Sequence, residues 1–130
     1  MTSWQSGDLS RIANSDDLHV APFRADGVTY GTLTWIWSVV VDSSLYLRAY
    51  NSTRSRWYQG ATAQRAGRIT AAGQTFEVTF EALEDPASAP VQSDIDAAYR
   101  VKYADSPYLA HMISSPAKAA TVRITPRADA

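Results

Sequence analysis

The residues best suited to hold a ligand lie between Leu45 and Ile69, LYLRAYNSTRSRWYQGATAQRAGRI. Arg48 is followed by the small polar run Asn51-Ser52-Thr53, then by Arg54, Arg56, Trp57 and Tyr58, and no acidic residue interrupts the stretch. A guanidinium grips phosphate or carboxylate through paired hydrogen bonds. Ser52 and Thr53 add hydroxyl donors. Asn51 accepts left-handed backbone angles, which aim successive amides at an anion. Trp57 and Tyr58 offer flat faces beside them. The set suits a ligand with an anionic end and a planar end. Each part also has a plainer reading: Arg48 as a solvent-facing strand residue, Asn51 to Thr53 as an ordinary loop, Arg54 and Arg56 as the solvated face of a helix. An inward Arg48 requires a partner, because an unpaired buried charge is strongly unfavourable.

Trp35, Trp37, Tyr46 and Tyr50 form a second group. Large rings dominate cores, and they also make the walls of pockets that receive flat ligands. Other chemistry is harder to build. His19 and His111 are isolated in a chain without cysteine, so no metal site is predicted. No nucleophile elbow or phosphate-binding glycine loop occurs, and no catalytic residue is assigned. Asp94, Asp96 and Asp105 are explained by helix starts. Arg24, ahead of Asp26-Gly27, is a weaker ligand candidate, and Arg65 and Arg68 read as a solvated strand face.

These residues sit in a chain of 130 residues with net charge −1, four tryptophans and seven tyrosines. That length predicts a single domain over residues 1–130 with a core that needs no disulfides. The near-zero charge argues against nucleic acid as a partner. No apolar run approaches the roughly 20 residues of a membrane span, and the opening Met1-Thr2-Ser3-Trp4 does not read as a secretory leader. A cytoplasmic protein with a small-molecule ligand is the expectation.

The elements that must position the candidates follow from periodicity. A helix capped by Ser6 is predicted from Gly7 to Asn14. Strands are predicted over Asp17–Phe23, Tyr30–Val41, Leu45–Tyr50, Ala63–Ala71, Gln74–Leu83 and Thr121–Thr125. Along the second, Leu33, Trp35, Trp37, Val39 and Val41 share one face. Along the third, Leu45, Leu47 and Ala49 oppose Tyr46, Arg48 and Tyr50. Glu84 to Val91 reads as a loop, and Ser93 as the cap of a helix carrying Ile95, Tyr99 and Tyr103. Ser106-Pro107 and Ser115-Pro116 each start a short helix. This amounts to a six-stranded antiparallel barrel with short helices outside it, with the Leu45–Tyr50 strand at its centre and the Asp94–Tyr103 helix against its outer face.

Several phrases, ADGVTYGTLTWIWSVVV, LYLRAYNSTRSRWYQGA, GRITAAGQTFEVTF, DIDAAYRVKY and SSPAKAATVRITPR, resemble the bacterial domain-of-unknown-function family 2255 over nearly the whole chain. That family is distantly similar to the split β-barrel flavin and deazaflavin oxidoreductases. The resemblance implies an α+β split barrel, commonly a homodimer, that binds FMN or the deazaflavin F420. It implies phosphate contacts from Arg48, Asn51, Ser52, Thr53 and Arg56, ring contacts from Trp57 and Tyr58, and a substrate side formed by Trp35, Trp37, Tyr46 and Tyr50. The Ser-Gly-Gly loop of the nitroreductase-like members is replaced here by Asn51-Ser52-Thr53. Two alternatives remain: a cofactor-free barrel that binds an apolar molecule, as an isomerase or cyclase of secondary metabolism would, and a non-enzymatic interaction module.

Overall fold

In the computed structural model, residues 4–15, 17–50, 52–83 and 89–126 are described. Their order is α1 (Ser6–Ala13), β1 (Leu18–Pro22), β2 (Thr34–Trp35), β3 (Ser38–Val41), β4 (Ser44–Arg48), a 3-10 turn (Ser52–Arg54), α2 (Arg56–Gln64), β5 (Ala66–Ala71), β6 (Gln74–Ala82), α3 (Ala89–Lys102), α4 (Leu109–Met112), α5 (Ser115–Lys118) and β7 (Thr121–Pro126). The seven strands form one antiparallel sheet in the order β2-β1-β5-β6-β7-β4-β3. The class is mixed α+β with a curled sheet.

The curl follows from connectivity. β2 and β3 are the two edges of the sheet, yet only Ile36 and Trp37 separate them in sequence. β2 pairs with β1 through His19–Trp35 and Val20–Thr34, whereas β3 pairs with β4 through Val39–Tyr46 and Val40–Leu45. The three Cα–Cα steps from Trp35 to Ser38 reach at most about 11 Å, so the sheet must bend until its edges come together. Here the sequence expectation is corrected: the strand predicted over Tyr30–Val41 is two short strands serving opposite edges, and the strands number seven rather than six.

Other boundaries differ too, among them the start of α4, which is Leu109 and not Pro107. Ala63 and Gln64 finish α2 instead of starting a strand, and Arg65 ends that helix in the left-handed conformation with φ 60°. α3 starts at Ala89, so Ser93 lies inside it; Pro90 is in its first turn, where its missing N–H costs nothing. Ser6 lies within α1, behind Gln5 at the cap position. Residues 84–88, most of the predicted loop, fall outside the described residues. The Leu45 strand ends at Arg48 and lies one strand from the sheet edge; β6 is the central strand.

The alternation along β4 separates two apolar layers. Leu45 and Leu47 point into the curl with Leu18, Val20, Ile69, Val78, Val122 and Ile124, where α1 and α2 add Ile12, Trp57, Tyr58 and Ala61. Tyr46 faces the opposite way with Trp37 and Val39, and α3 covers them with Ile95 and Tyr99, joined by Tyr103 just past its end. As predicted, this helix packs outside the sheet. The β3–β4 and β5–β6 hairpins use two-residue turns whose central residues all have positive φ, Asp42 and Ser43 in one and Ala72 and Gly73 in the other. Such turns match the right-handed twist of the strands they join.

Candidate functional site

The link that closes the curl also builds a cavity. Trp35, Ile36 and Trp37 form one side of a space of about 650 Å³, and Tyr50, Tyr103, Ser106, Tyr108 and Met112 form the other. Trp37 stacks on Tyr103 with ring centroids 4.0 Å apart and planes 2° apart. Tyr103 is fixed in turn by Ser38, whose backbone N–H donates to its hydroxyl at 3.2 Å. On the opposite wall Tyr50 meets Tyr108 edge-on at 6.0 Å. His111 lies over Tyr50 at 4.1 Å, and its Nε2 donates to the Tyr50 carbonyl at 2.5 Å. Trp35 and Tyr108 are about half exposed, so the rim is aromatic as well.

A second space of about 650 Å³ lies on the other side of β2, between the 22–34 segment and α2. Arg24 and Arg56 border it, with Thr32, Thr34, Trp57 and Gln59. A tight turn holds Arg24 there: its N–H donates to the Thr29 carbonyl at 2.7 Å, and its carbonyl accepts from Gly27 at 2.8 Å. Asp26 braces the turn. Hydrogen bonds from the Thr29 hydroxyl and from the Thr29 and Val28 amides, with a contribution from nearby Arg24, lower its pKa to about 2. Arg56 opens α2 on the first helical position, and the preceding Ser55 places no side-chain oxygen on the helix N-terminus. Arg24 and Arg56 form no ion pair among the described residues.

Close packing at Pro22 shapes this second compartment. A Cβ on Gly31 would lie 2.9 Å from the Pro22 carbonyl, and one on Gly60 would lie 3.3 Å from the Pro22 Cβ. A narrower space of about 220 Å³ lies between the two compartments and shares lining with both. Trp35, Ile36 and Tyr50 continue into the aromatic side; Thr34, Arg56 and Trp57 continue into the cationic side. The result is a groove across residues 34–37, aromatic at one end and cationic at the other.

The structure gathers some predicted site residues and removes others. Trp35, Trp37, Tyr50, Arg56 and Trp57 line the groove. Arg48 does not. It is fully buried, and its five N–H donors all have acceptors within the protein: Thr121 Oγ1 at 3.1 Å, Asp96 Oδ1, the Met112 carbonyl at 3.2 Å, and the Gln92 carbonyl and side-chain oxygen at 3.3 and 2.7 Å. No donor remains for a phosphate. Asp96, explained from sequence as a helix-start residue, is the counter-charge and also pairs with Lys118 at 2.9 Å. Burial alone would raise the Asp96 carboxyl, but the hydrogen bonds and charges of Lys118 and Arg48 outweigh it and hold the group below its usual range.

Ser52 and Thr53 stand in the 3-10 turn, away from the lining of all three spaces. Tyr58 is buried in the inner core. Tyr46 is buried beneath α3, where its hydroxyl accepts from Arg123 at 3.3 Å. Asn51 lies outside the described residues. Sequence reasoning did not assign Tyr103, Tyr108 and Met112 to the site. Tyr103 was visible only as a helix-face residue, and nothing local points Tyr108 or Met112 toward Trp35. Arg24 was visible through its turn, but its approach to Arg56 depends on the contact of α2 with β1.

Among described residues, no helix is long and apolar enough to cross a membrane, and no group of three metal-ligating side chains occurs. No curated protein matches the chain. The crystal structure of the conserved hypothetical protein Rv2991 from Mycobacterium tuberculosis is similar in fold, with a TM-score of 0.65 at 14% identity, over 99% of this chain and 83% of that one. The profile of the family described as "uncharacterized protein conserved in bacteria", domain of unknown function 2255, matches residues 8–124, and the chain belongs to that family.

Proposed function

We propose that this protein binds a planar cofactor with an anionic tail, FMN or F420, and acts as an oxidoreductase on a small organic molecule. The supporting observation is the cationic part of the groove, where two cations without ion pairs among the described residues lie beside Trp57 and, through the smaller space, Trp35. Arg56 and Arg24 would hold the phosphate. Trp57 and Trp35 would border the ring. Each large compartment is within the size range of drug-sized ligand pockets. A bound flavin or deazaflavin supplies the hydride chemistry, and the chain's own residues orient it and exclude water. This assignment moves the phosphate grip from Arg48 to Arg56 and Arg24, because Arg48 has no donor left. The split-barrel likeness adds a homodimer to the reading, which light scattering at micromolar concentration tests.

Titration of the purified apoprotein with FMN and with F420 is the direct experiment. A charge-assisted hydrogen bond contributes about 1.5–3 kcal/mol, and exposure of both arginines reduces this. Arg56→Ala is therefore expected to weaken binding roughly tenfold, Arg24→Ala similarly, and Arg54→Ala not at all. If neither cofactor binds wild type at roughly tens of micromolar, the oxidoreductase reading fails. The aromatic compartment favours one second reading, a cofactor-free barrel that binds an apolar molecule. A protein that binds such a molecule but no flavin supports that alternative.

A further inference from the structure

We infer that the aromatic compartment is a separate subsite for a flat, uncharged molecule, occupied at the same time as the cationic compartment. The inference rests on the cofactor reading only for the identity of the second occupant. The described residues lining the aromatic compartment include no charged side chain. Two of its polar groups are already engaged: the Ser106 hydroxyl accepts from the Tyr108 amide at 3.1 Å, and the Tyr103 hydroxyl is held at Ser38. A carboxylate entering this space would lose water and find no cation in the lining to pair with, a poorly compensated desolvation. Ring faces and edges are what the walls offer, through Trp37, Tyr50 and Tyr108, and aromatic guests pack on these in stacked or edge-on geometry.

Separation follows from shape. Two spaces of about 650 Å³ flank one of about 220 Å³. Each large space can hold a drug-sized molecule, and the narrow one brings their near ends together beside Trp35 and Tyr50. Arg56 faces the narrow and cationic spaces but not the aromatic one.

The test uses 1-naphthol as a neutral planar probe and 1-naphthoate as its charged counterpart, with binding followed by calorimetry. Wild type is expected to bind 1-naphthol at least about tenfold more tightly than 1-naphthoate. Tyr108 stands on the rim, 57% exposed, so Tyr108→Ala is expected to keep the fold, which its melting curve checks. It should weaken 1-naphthol about tenfold while leaving the FMN dissociation constant within about twofold. Saturating 1-naphthol should leave that constant unchanged. Equal affinity for the two probes overturns the uncharged-ligand assignment, and insensitivity of 1-naphthol binding to Tyr108→Ala overturns the aromatic compartment as its subsite. Competition between 1-naphthol and FMN overturns the separation of subsites. If FMN fails to bind while 1-naphthol keeps its selectivity and its dependence on Tyr108, the cofactor reading falls and the aromatic subsite stands.

Discussion

Arg48 joins β4 to α3, α4 and β7 through one guanidinium. Its charge is tolerated inside the protein because every donor is satisfied and Asp96 supplies the counter-charge. Removing one partner of such a pair typically costs about 3–5 kcal/mol, since the other charge stays buried. Asp96→Ala is therefore expected to lower unfolding stability by about that amount, read from urea midpoints. Arg48→Lys should also destabilise, because one ammonium cannot reach acceptors spread over three elements. The pH dependence has a definite sign. Asp96 titrates lower in the folded protein than in the unfolded chain. Its contribution is full above the unfolded value, about 3.9, and is lost as pH falls through the folded value. The acid limb of the stability profile should therefore flatten in Asp96→Asn. An unchanged limb would show that other carboxylates control acid unfolding.

Pro22 in β1 is approached closely from β5, α2 and the 31 position. A Cβ on Gly67 would lie 2.5 Å from the Ala21 carbonyl and 2.6 Å from the Pro22 Cα, both backbone atoms that cannot rotate aside. Gly67→Ala must therefore push β5 from β1 and is expected to cost about 1–3 kcal/mol, as overpacking does. Thermal melting checks it. Gly73→Ala is the informative partner: open space surrounds that position, but its φ of 80° strains any L side chain. Both variants should melt lower, and only Gly67→Ala should also disturb the cationic compartment, which Pro22 helps to line.

For the molecule as a whole, the curl depends on edges that are short. β2 has two residues, both exposed, whereas β6 has nine and lies at the centre of the sheet. Amide exchange follows local opening, and central strands open only with the whole fold. Protection should be greatest in β6 and β7 and lowest in β2. β2 amides as slow as those of β6 would contradict a sheet that closes through its weakest edge. Because β2 stands between the two compartments, filling both should raise its protection most.

Much of the fold was legible in local pattern. The alternation of Leu45 and Leu47 against Tyr46 and Arg48 assigned side chains to two layers, and both layers exist. The Asp26-Gly27 turn, the Asp42 to Ser44 hairpin and the proline-started α5 follow from residue chemistry within a few positions. Trp35, Trp37 and Tyr50, and Arg56 with Trp57, which line the groove, were also visible as types suited to a ligand. What sequence could not supply was distance across the chain. The break of Tyr30–Val41 into β2 and β3 results from pairing with different partners, at residues 18–22 and 44–48, and no local signal encodes that choice. The partner of Arg48 is 48 positions away on α3. Local pattern limited Arg48 to solvent or an inward paired position; tertiary structure decided for the second, because only the packing of α3, α4 and β7 around β4 brings five acceptors to one guanidinium.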